Sequence, residues 1–378
     1  MKRWILGMVL FAAVISDAKP NIVLLYADDL DADEINCTAD MVDTWATHSG
    51  AKTKGFWNKK IDPKVLTPHI DSLADGGMLF TRFYVNGTVC TPSRYCLLTG
   101  RYATRGADLL KDYPAGGHCT LEWRPDMLHE ENNLPKELQR LGYRTGIIGK
   151  WHNLPEDKSI GMPKMKKNER EANSSYAAVA TFEQKLKKQY QAGYDFLSVG
   201  FGWDVVDRME WGNSIVNLDW QCEGALKFIE ESQDQPFFLY CALPVPHGQY
   251  SFDYNQVESY DRRVTSNGLL DEPMDLLPST EEVLARCKKA GVSEDNAMAT
   301  RMDDYVGAVL NKLDELGLSD DTIVIFTSDH GSRGKNSVYE GGAKVPMMIE
   351  WPGRVKAGSR CDSMIGNIDI AATLIELA

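Results

Sequence analysis

The 378-residue sequence predicts an α/β protein with a central, mostly parallel sheet flanked by helices. Three observations carry that expectation. Residues 21–26 (NIVLLY), 237–242 (FFLYCA) and 322–327 (TIVIFT) are unbroken apolar runs of strand length, as in strands covered on both faces. Stretches with helical apolar spacing separate them. Polar clusters (Asp28 and Asp29, Lys150 and His152, His247, Asp329 and His330) each follow a strand-like run, where open parallel sheets bind ligands.

Taken in order, 21–26 is the first strand and ends at the acidic pair. Thr67 and Pro68 suit the cap and first turn of a short helix to residue 74, which Gly76 and Gly77 end. Residues 79–84 read as a strand, and a helix is expected over 92–98. Leu134, Leu138 and Leu141 share one helical face over 133–141; Gly142 stops that helix and 144–148 is the next strand. The Lys-, Glu- and Gln-rich stretch 156–190 shows little core and reads as an exposed insertion. A helix near 216–230 leads into strand 237–242. Another, over 295–316, carries Val306, Val309, Leu310 and Leu313 as its apolar stripe and leads into strand 322–327. The sequence closes in a helix over 368–378.

With 43% hydrophobic and 25% charged residues and no internal repeat, the chain is globular and long enough for one large domain or two ordinary ones. Lys2 and Arg3 precede an apolar run over 4–15, too short to span a bilayer, and small Ser16 and Ala18 follow. Residues 1–18 are therefore expected to be an export signal cleaved after Ala18, leaving 19–378 as the mature domain. Acceptor triplets at Asn36, Asn86 and Asn173 fit a glycoprotein on a secretory route, secreted or lysosomal. No later apolar run is long enough for a membrane span.

Eight cysteines permit disulfides in an oxidising compartment, but no C-x-x-C pair suggests a zinc knuckle. Cys96 and Cys241 fall in a helix and a strand, as buried thiols do. A net charge of −13 argues against nucleic acid as a partner and requires local cations to hold any anionic substrate.

Adjacent carboxylates repel, so Asp28 with Asp29, and Asp329 beside His330, either cap and solvate local structure or share a cation. Cys90-Thr91-Pro92-Ser93-Arg94 leads into a helix. Cys90 is there either a core thiol or a group at the positive helix end, with Arg94 on the same first turn. This segment, with Leu97-Leu98-Thr99-Gly100-Arg101, resembles the Cys-x-Pro-x-Arg signature of the type I, formylglycine-dependent sulfatases of the alkaline phosphatase-like superfamily. Residues 142–152 (GYRTGIIGKWH) resemble that family's second signature. Further blocks at 20–30, 67–83, 328–331, 335–342 and 345–353 follow in family order.

The resemblance implies that a maturation enzyme oxidises Cys90 to formylglycine. Asp28, Asp29, Asp329 and His330 match the metal ligands, with modified Cys90 completing the shell. Arg94 matches the residue that steadies the formylglycine hydrate, and Lys150 and His152 match the groups acting on hydrate and sulfate. His247 matches the histidine near the leaving oxygen, and Lys335 the second sulfate-binding lysine, with Lys344 the competing candidate. One hydrate hydroxyl would attack sulfur while His247 protonates the departing alcohol; the second would lose its proton and expel sulfate.

The implied ion is calcium, with manganese or another softer ion the alternative because His330 stands where relatives often carry Asn. Asp31 stands where Gly is common, and the family's smaller C-terminal antiparallel subdomain is expected to be missing or truncated. Two other functions compete: hydrolysis of a phosphonate or phosphate monoester, and glycan binding without turnover. Specificity is expected to lie in residues 31–65, 105–130 and 156–215, with a sulfated carbohydrate preferred over an aryl sulfate.

Overall fold

The computed structural model describes residues 19–39, 41, 64–113, 117–118, 121, 123–155, 159–166, 169, 175–211, 215–247 and 261–378. Its strands are β1 (Asn21–Ala27), β2 (Met78–Phe80), β3 (Phe83–Tyr84), β4 (Arg144–Lys150), β5 (Val205–Glu210) and β6 (Phe237–Ala242). They continue with β7 (Val264–Thr265), β8 (Gly268–Leu269), β9 (Thr322–Ser328), β10 (Met347–Glu350), β11 (Ser359–Cys361) and β12 (Ile365–Gly366). Eight form one sheet in the order β11-β2-β10-β9-β1-β6-β4-β5, parallel except where β10 pairs with β9 and β2. The expected α/β fold with a central, mostly parallel sheet is the one observed.

The period-2 geometry of β1 splits its side chains between two cores. Val23, Leu25 and Ala27 meet apolar residues of helices Pro68–Gly76, Leu218–Ser232, Thr280–Ala290 and Ala297–Glu315. Ile22, Leu24 and Tyr26 meet those of helices Cys90–Thr99, Leu134–Arg140, Glu183–Leu197 and Ile368–Leu377. All seven residues of β1 are buried, which is why this strand reads as continuous rather than alternating hydrophobicity.

Several local expectations change. The strand expected over 79–84 is broken at Thr81 and Arg82 into β2 and β3, which join different sheets. The helix expected from residue 92 begins at Cys90, with extended Val89 before it. Thr67 precedes helix Pro68–Gly76 but makes no side-chain cap; Asp303 accepts from the His69 and Ile70 N–H groups instead (3.2 and 2.7 Å). The supposed insertion contributes helix Glu183–Leu197, whose Leu186, Tyr190 and Leu197 are buried; residues 156–158, 167–168 and 170–174, with the Asn173 triplet, lie outside the described residues. So does the expected signal over 1–18.

The described cysteines are free thiols, with Cys96 and Cys241 buried; Cys119 lies outside the described residues. Among the described residues, no helix is long and apolar enough to cross a membrane.

Candidate active site

Sheet register assembles the site. β1 and β9 run in parallel with Ala27 beside Ser328, so Asp28 and Asp329 leave the sheet side by side. β6 pairs Ala242 with Tyr26 on one edge and Gly149 of β4 on the other, which brings the segment before His247 and Lys150 to the same end. Gly149 is needed there, because its φ is +99° and a Cβ would meet the Ala242 carbonyl at 2.1 Å. Asp28 N–H donates to Val245 O (3.1 Å) and Asp329 N–H to Ala27 O (3.0 Å), tying three chain ends together. Asp29 occupies the left-handed region at φ 61°, and its N–H donates to Asp329 Oδ1 (3.0 Å).

Helix Cys90–Thr99 supplies the remaining groups. Cys90 is its first residue and Arg94 lies four positions on, one turn along the same face. Ser93 anchors that turn: Tyr26 Oη shares a hydrogen bond with its Oγ (3.1 Å), and Asn367 Nδ2 donates to its Oγ and carbonyl (2.9 and 3.1 Å).

Cys90 Sγ lies 3.3 Å from His330 Nε2, 3.7 Å from Lys335 Nζ, 3.8 Å from Lys150 Nζ and 3.9 Å from Asp29 Oδ1. Lys150 pairs with Asp28 Oδ2 (2.5 Å), and Lys335 with both Asp29 oxygens (3.0 and 3.2 Å). His330 Nε2 sits 2.9 Å from Asp29 Oδ1, and His247 Nε2 3.9 Å from Asp29 Oδ2. Arg94 Nη2 lies 3.0 Å from Asp329 Oδ2 and 3.4 Å from Asp28 Oδ1. His152 lies beside the start of the Cys90 helix, where its carbonyl accepts from Thr91 Oγ1 (3.3 Å), and its ring packs against Trp123 at 5.7 Å between rings. Asp28, Asp29, Cys90, Arg94, Lys150, His152, His247, Asp329, His330 and Lys335 thus form one cluster. Lys344 turns away and donates to Met41 O (2.7 Å).

The electrostatics follow from burial and sign. Burial pushes the Cys90 thiol up, but Lys150, His330 and His152 outweigh it and hold the group well below its usual range. Burial likewise opposes ionisation of Asp28, yet Lys150, His247 and Arg94 keep it well below the carboxylate range. Asp329 moves the other way, pushed well above that range by burial and then by the Asp28 charge.

Asp28 Oδ1 and Asp329 Oδ2 are buried without a hydrogen-bond donor, since Arg94 Nη2 approaches both outside hydrogen-bond alignment. Ligand atoms of Asp28, Cys90, Asp329 and His330 lie within 4.8 Å of one another, as do those of Asp28, Asp29, Cys90 and His247. Carboxylate oxygens left undonated and crowded together fit a hard divalent cation, and the single imidazole nitrogen is a softer ligand than the carboxylates around it.

Several supporting groups carry no local motif. Tyr240 accepts from Arg94 Nη1 (3.3 Å), and the Tyr26 ring lies under the guanidinium at 5.2 Å. Asp31 accepts from Ser332 Oγ (2.5 Å) and Arg333 N–H (3.2 Å) and pairs with Arg333 Nε (3.1 Å), latching the β1 loop to the loop that carries Lys335. The strand alternation of Tyr26 and Tyr240 marks them as core but says nothing of Arg94.

The sulfatase family model matches residues 20–378. The chain belongs to the sulfatase family. Mouse N-acetylgalactosamine-6-sulfatase is 25% identical over 95% of the chain and 62% of its own length. Human arylsulfatase A is 27% identical over 95% of the chain and 64% of its own length. The chain therefore spans less than two thirds of both relatives. The crystal structure of Ps i-CgsB shares the fold at a TM-score of 0.58, with 24% identity over 95% of this chain and 72% of that one. In this sulfatase-family chain, the residues matched by motif are those that surround Cys90.

Proposed function

We propose that the protein hydrolyses a sulfate ester, with a formylglycine made from Cys90 as nucleophile and a divalent ion held by Asp28, Asp29, Asp329 and His330. The observation that carries this reading is the placement of Cys90 Sγ between two lysines and the metal-type carboxylates. In the mature protein, Sγ stands for the position of the hydroxyls of an aldehyde hydrate. That hydrate would supply one oxygen to attack sulfur and a second whose deprotonation would expel sulfate as the aldehyde re-forms. The ion would lower the cost of the attacking oxyanion and polarise the sulfate oxygens.

Charge balance bears on how the site would hold an anion. Asp28, Asp29 and Asp329 are offset in charge by Lys150, Lys335 and Arg94. A divalent ion leaves the pocket positive, as an anionic ester requires in a protein of net charge −13. Lys150 and Lys335 then hold sulfate oxygens, and Arg94 steadies residue 90. His247 Nε2 delivers a proton to the departing oxygen, and His152 takes one from the hydrate. Calcium is the proposed ion and manganese its alternative.

The substrate is proposed to be a sulfated carbohydrate, N-acetylgalactosamine 6-sulfate among the candidates, or an aryl sulfate; the names of the relatives above support both. A formylglycine-generating enzyme is the proposed maturation partner. The proposed route is an export signal over 1–18, a catalytic domain over 19–378 and a secreted or lysosomal destination. Asn36 is exposed, although its Nδ2 donates to Asp71 Oδ2 (3.1 Å), whereas Asn86 is half-buried and its Oδ1 accepts from Ile368 N–H (3.3 Å).

Protein made in a host that contains the maturation enzyme tests the reading. It is expected to cleave 4-nitrophenyl sulfate faster than 4-nitrophenyl phosphate, to carry an aldehyde in the tryptic peptide 83–94, and to lose turnover but keep its fold as Cys90→Ala. A phosphate preference, or full activity in Cys90→Ala, overturns it.

A further inference from the structure

We propose that Trp123 is a stacking platform for the sugar ring that bears the scissile sulfate, an inference resting on the reading of the Cys90 pocket as a sulfate-ester site. The indole is 56% exposed, although an exposed tryptophan gives up apolar burial worth a few kcal/mol. A single exposed aromatic is ordinary by itself. Its position is what matters: the indole meets the His152 ring at 5.7 Å and 64°, and the His152 carbonyl accepts from Oγ1 of Thr91, the residue after Cys90 (3.3 Å). Trp123 therefore stands beside the segment that follows Cys90, where the ring carrying the ester would lie.

The backbone that follows Trp123 is held rather than loose. Arg124 donates from Nε to Asp108 Oδ2 (3.0 Å), from Nη2 to Asp108 O (3.0 Å) and from Nη1 to Asp112 Oδ2 (2.6 Å). Asn153 Nδ2 bridges Pro125 O (3.0 Å) and Thr91 O (2.9 Å), so the Trp123 segment is tied both to the residue after Cys90 and to the residue after His152. A pre-placed indole loses little entropy when it binds a ligand.

Exposed apolar groups recur on the other segment bonded to this turn. Asn336 N–H donates to Thr88 O (3.0 Å), and Val338 (93% exposed) and Tyr339 (59%) follow it. The floor is polar and cationic, with Lys150 and Lys335 at Cys90, while exposed Val338 and Tyr339 follow the Lys335 loop among exposed Asn336 and Glu340. A sulfated pyranose has the matching character: one anionic group and an apolar C–H face suited to an aromatic plane.

Isothermal titration of the full-length Cys90→Ala protein separates the two halves of such a ligand. The probes are N-acetylgalactosamine 6-sulfate, galactose 6-sulfate and inorganic sulfate. Adding Trp123→Ala is expected to weaken at least one sugar sulfate about tenfold and leave inorganic sulfate unchanged, while Trp123→Phe retains most of the affinity. Sugar affinities that do not change, or that fall in step with sulfate, overturn the platform. Binding of sulfate but of neither sugar sulfate by the parent removes the platform alone. A parent that binds none of the three probes removes the sulfate-ester reading and the platform with it.

Discussion

Lys335 and Lys344 both lie close to Glu340-Gly341-Gly342 in sequence, yet Lys335 reaches Cys90 Sγ at 3.7 Å while Lys344 bonds the Met41 carbonyl. Spacing alone left the two open, because the loop that decides between them is set by tertiary contacts: Asn336 N–H on Thr88 O, and Asp31 on Ser332 and Arg333. Lys335→Ala is therefore expected to lower kcat/KM for 4-nitrophenyl sulfate about 100-fold, while Lys344→Ala stays within about threefold. Equal effects in steady-state assays would contradict the assignment. Residues inside contiguous motifs, such as Cys90, Arg94, Lys150 and His152, were legible because the chemistry fixes their local order. Asp31 was not, since its partners lie about 300 residues away in sequence. Asp31→Ala is expected to destabilise the fold by about 1–3 kcal/mol, read by urea unfolding, because it leaves Ser332 Oγ and the Arg333 N–H without their acceptor while Arg333 keeps only its pair with Asp33.

Helix Pro68–Gly76 shows how an element's type is legible while its energetics are not. Pro68 and Gly76 correctly mark its ends, but its first N–H groups are capped by Asp303 from helix Ala297–Glu315, not by Thr67. The same carboxylate accepts from His69 Nδ1 (2.8 Å) and raises the histidine above its usual 6.5. A raised folded value means that the protonated pair adds stability below the unfolded pKa and loses it as pH rises through the folded one. The stability difference between the parent protein and His69→Asn is thus expected to shrink as pH rises above the usual 6.5 of histidine. Denaturant midpoints that give a pH-independent difference would remove the pair from the account. The half-exposed imidazole keeps this effect modest.

At the scale of the whole molecule, the doubly covered sheet was legible because a strand buried on both faces leaves an unbroken apolar run. The antiparallel strand β10 and the edge strand β11 were not, since they are four and three residues long, too short for a period to register. The sheet's register gathers Asp28, Asp29, Asp329 and Lys150 before any ligand arrives, which costs like-charge repulsion among the carboxylates. A divalent ion relieves that repulsion, so calcium at about 1,000 times its Kd is expected to raise unfolding free energy by about 4 kcal/mol, and chelation to reverse it. Unfolding curves insensitive to calcium, manganese and chelator would speak against a metal.

Anomalous diffraction from crystals of the matured protein grown with manganese tests the central claim most directly. The account predicts one peak beside residue 90, about 2.0–2.6 Å from oxygens of Asp28, Asp29 and Asp329 and from a His330 nitrogen. A peak bound elsewhere, or a fully active protein with no ion between these four side chains, contradicts it.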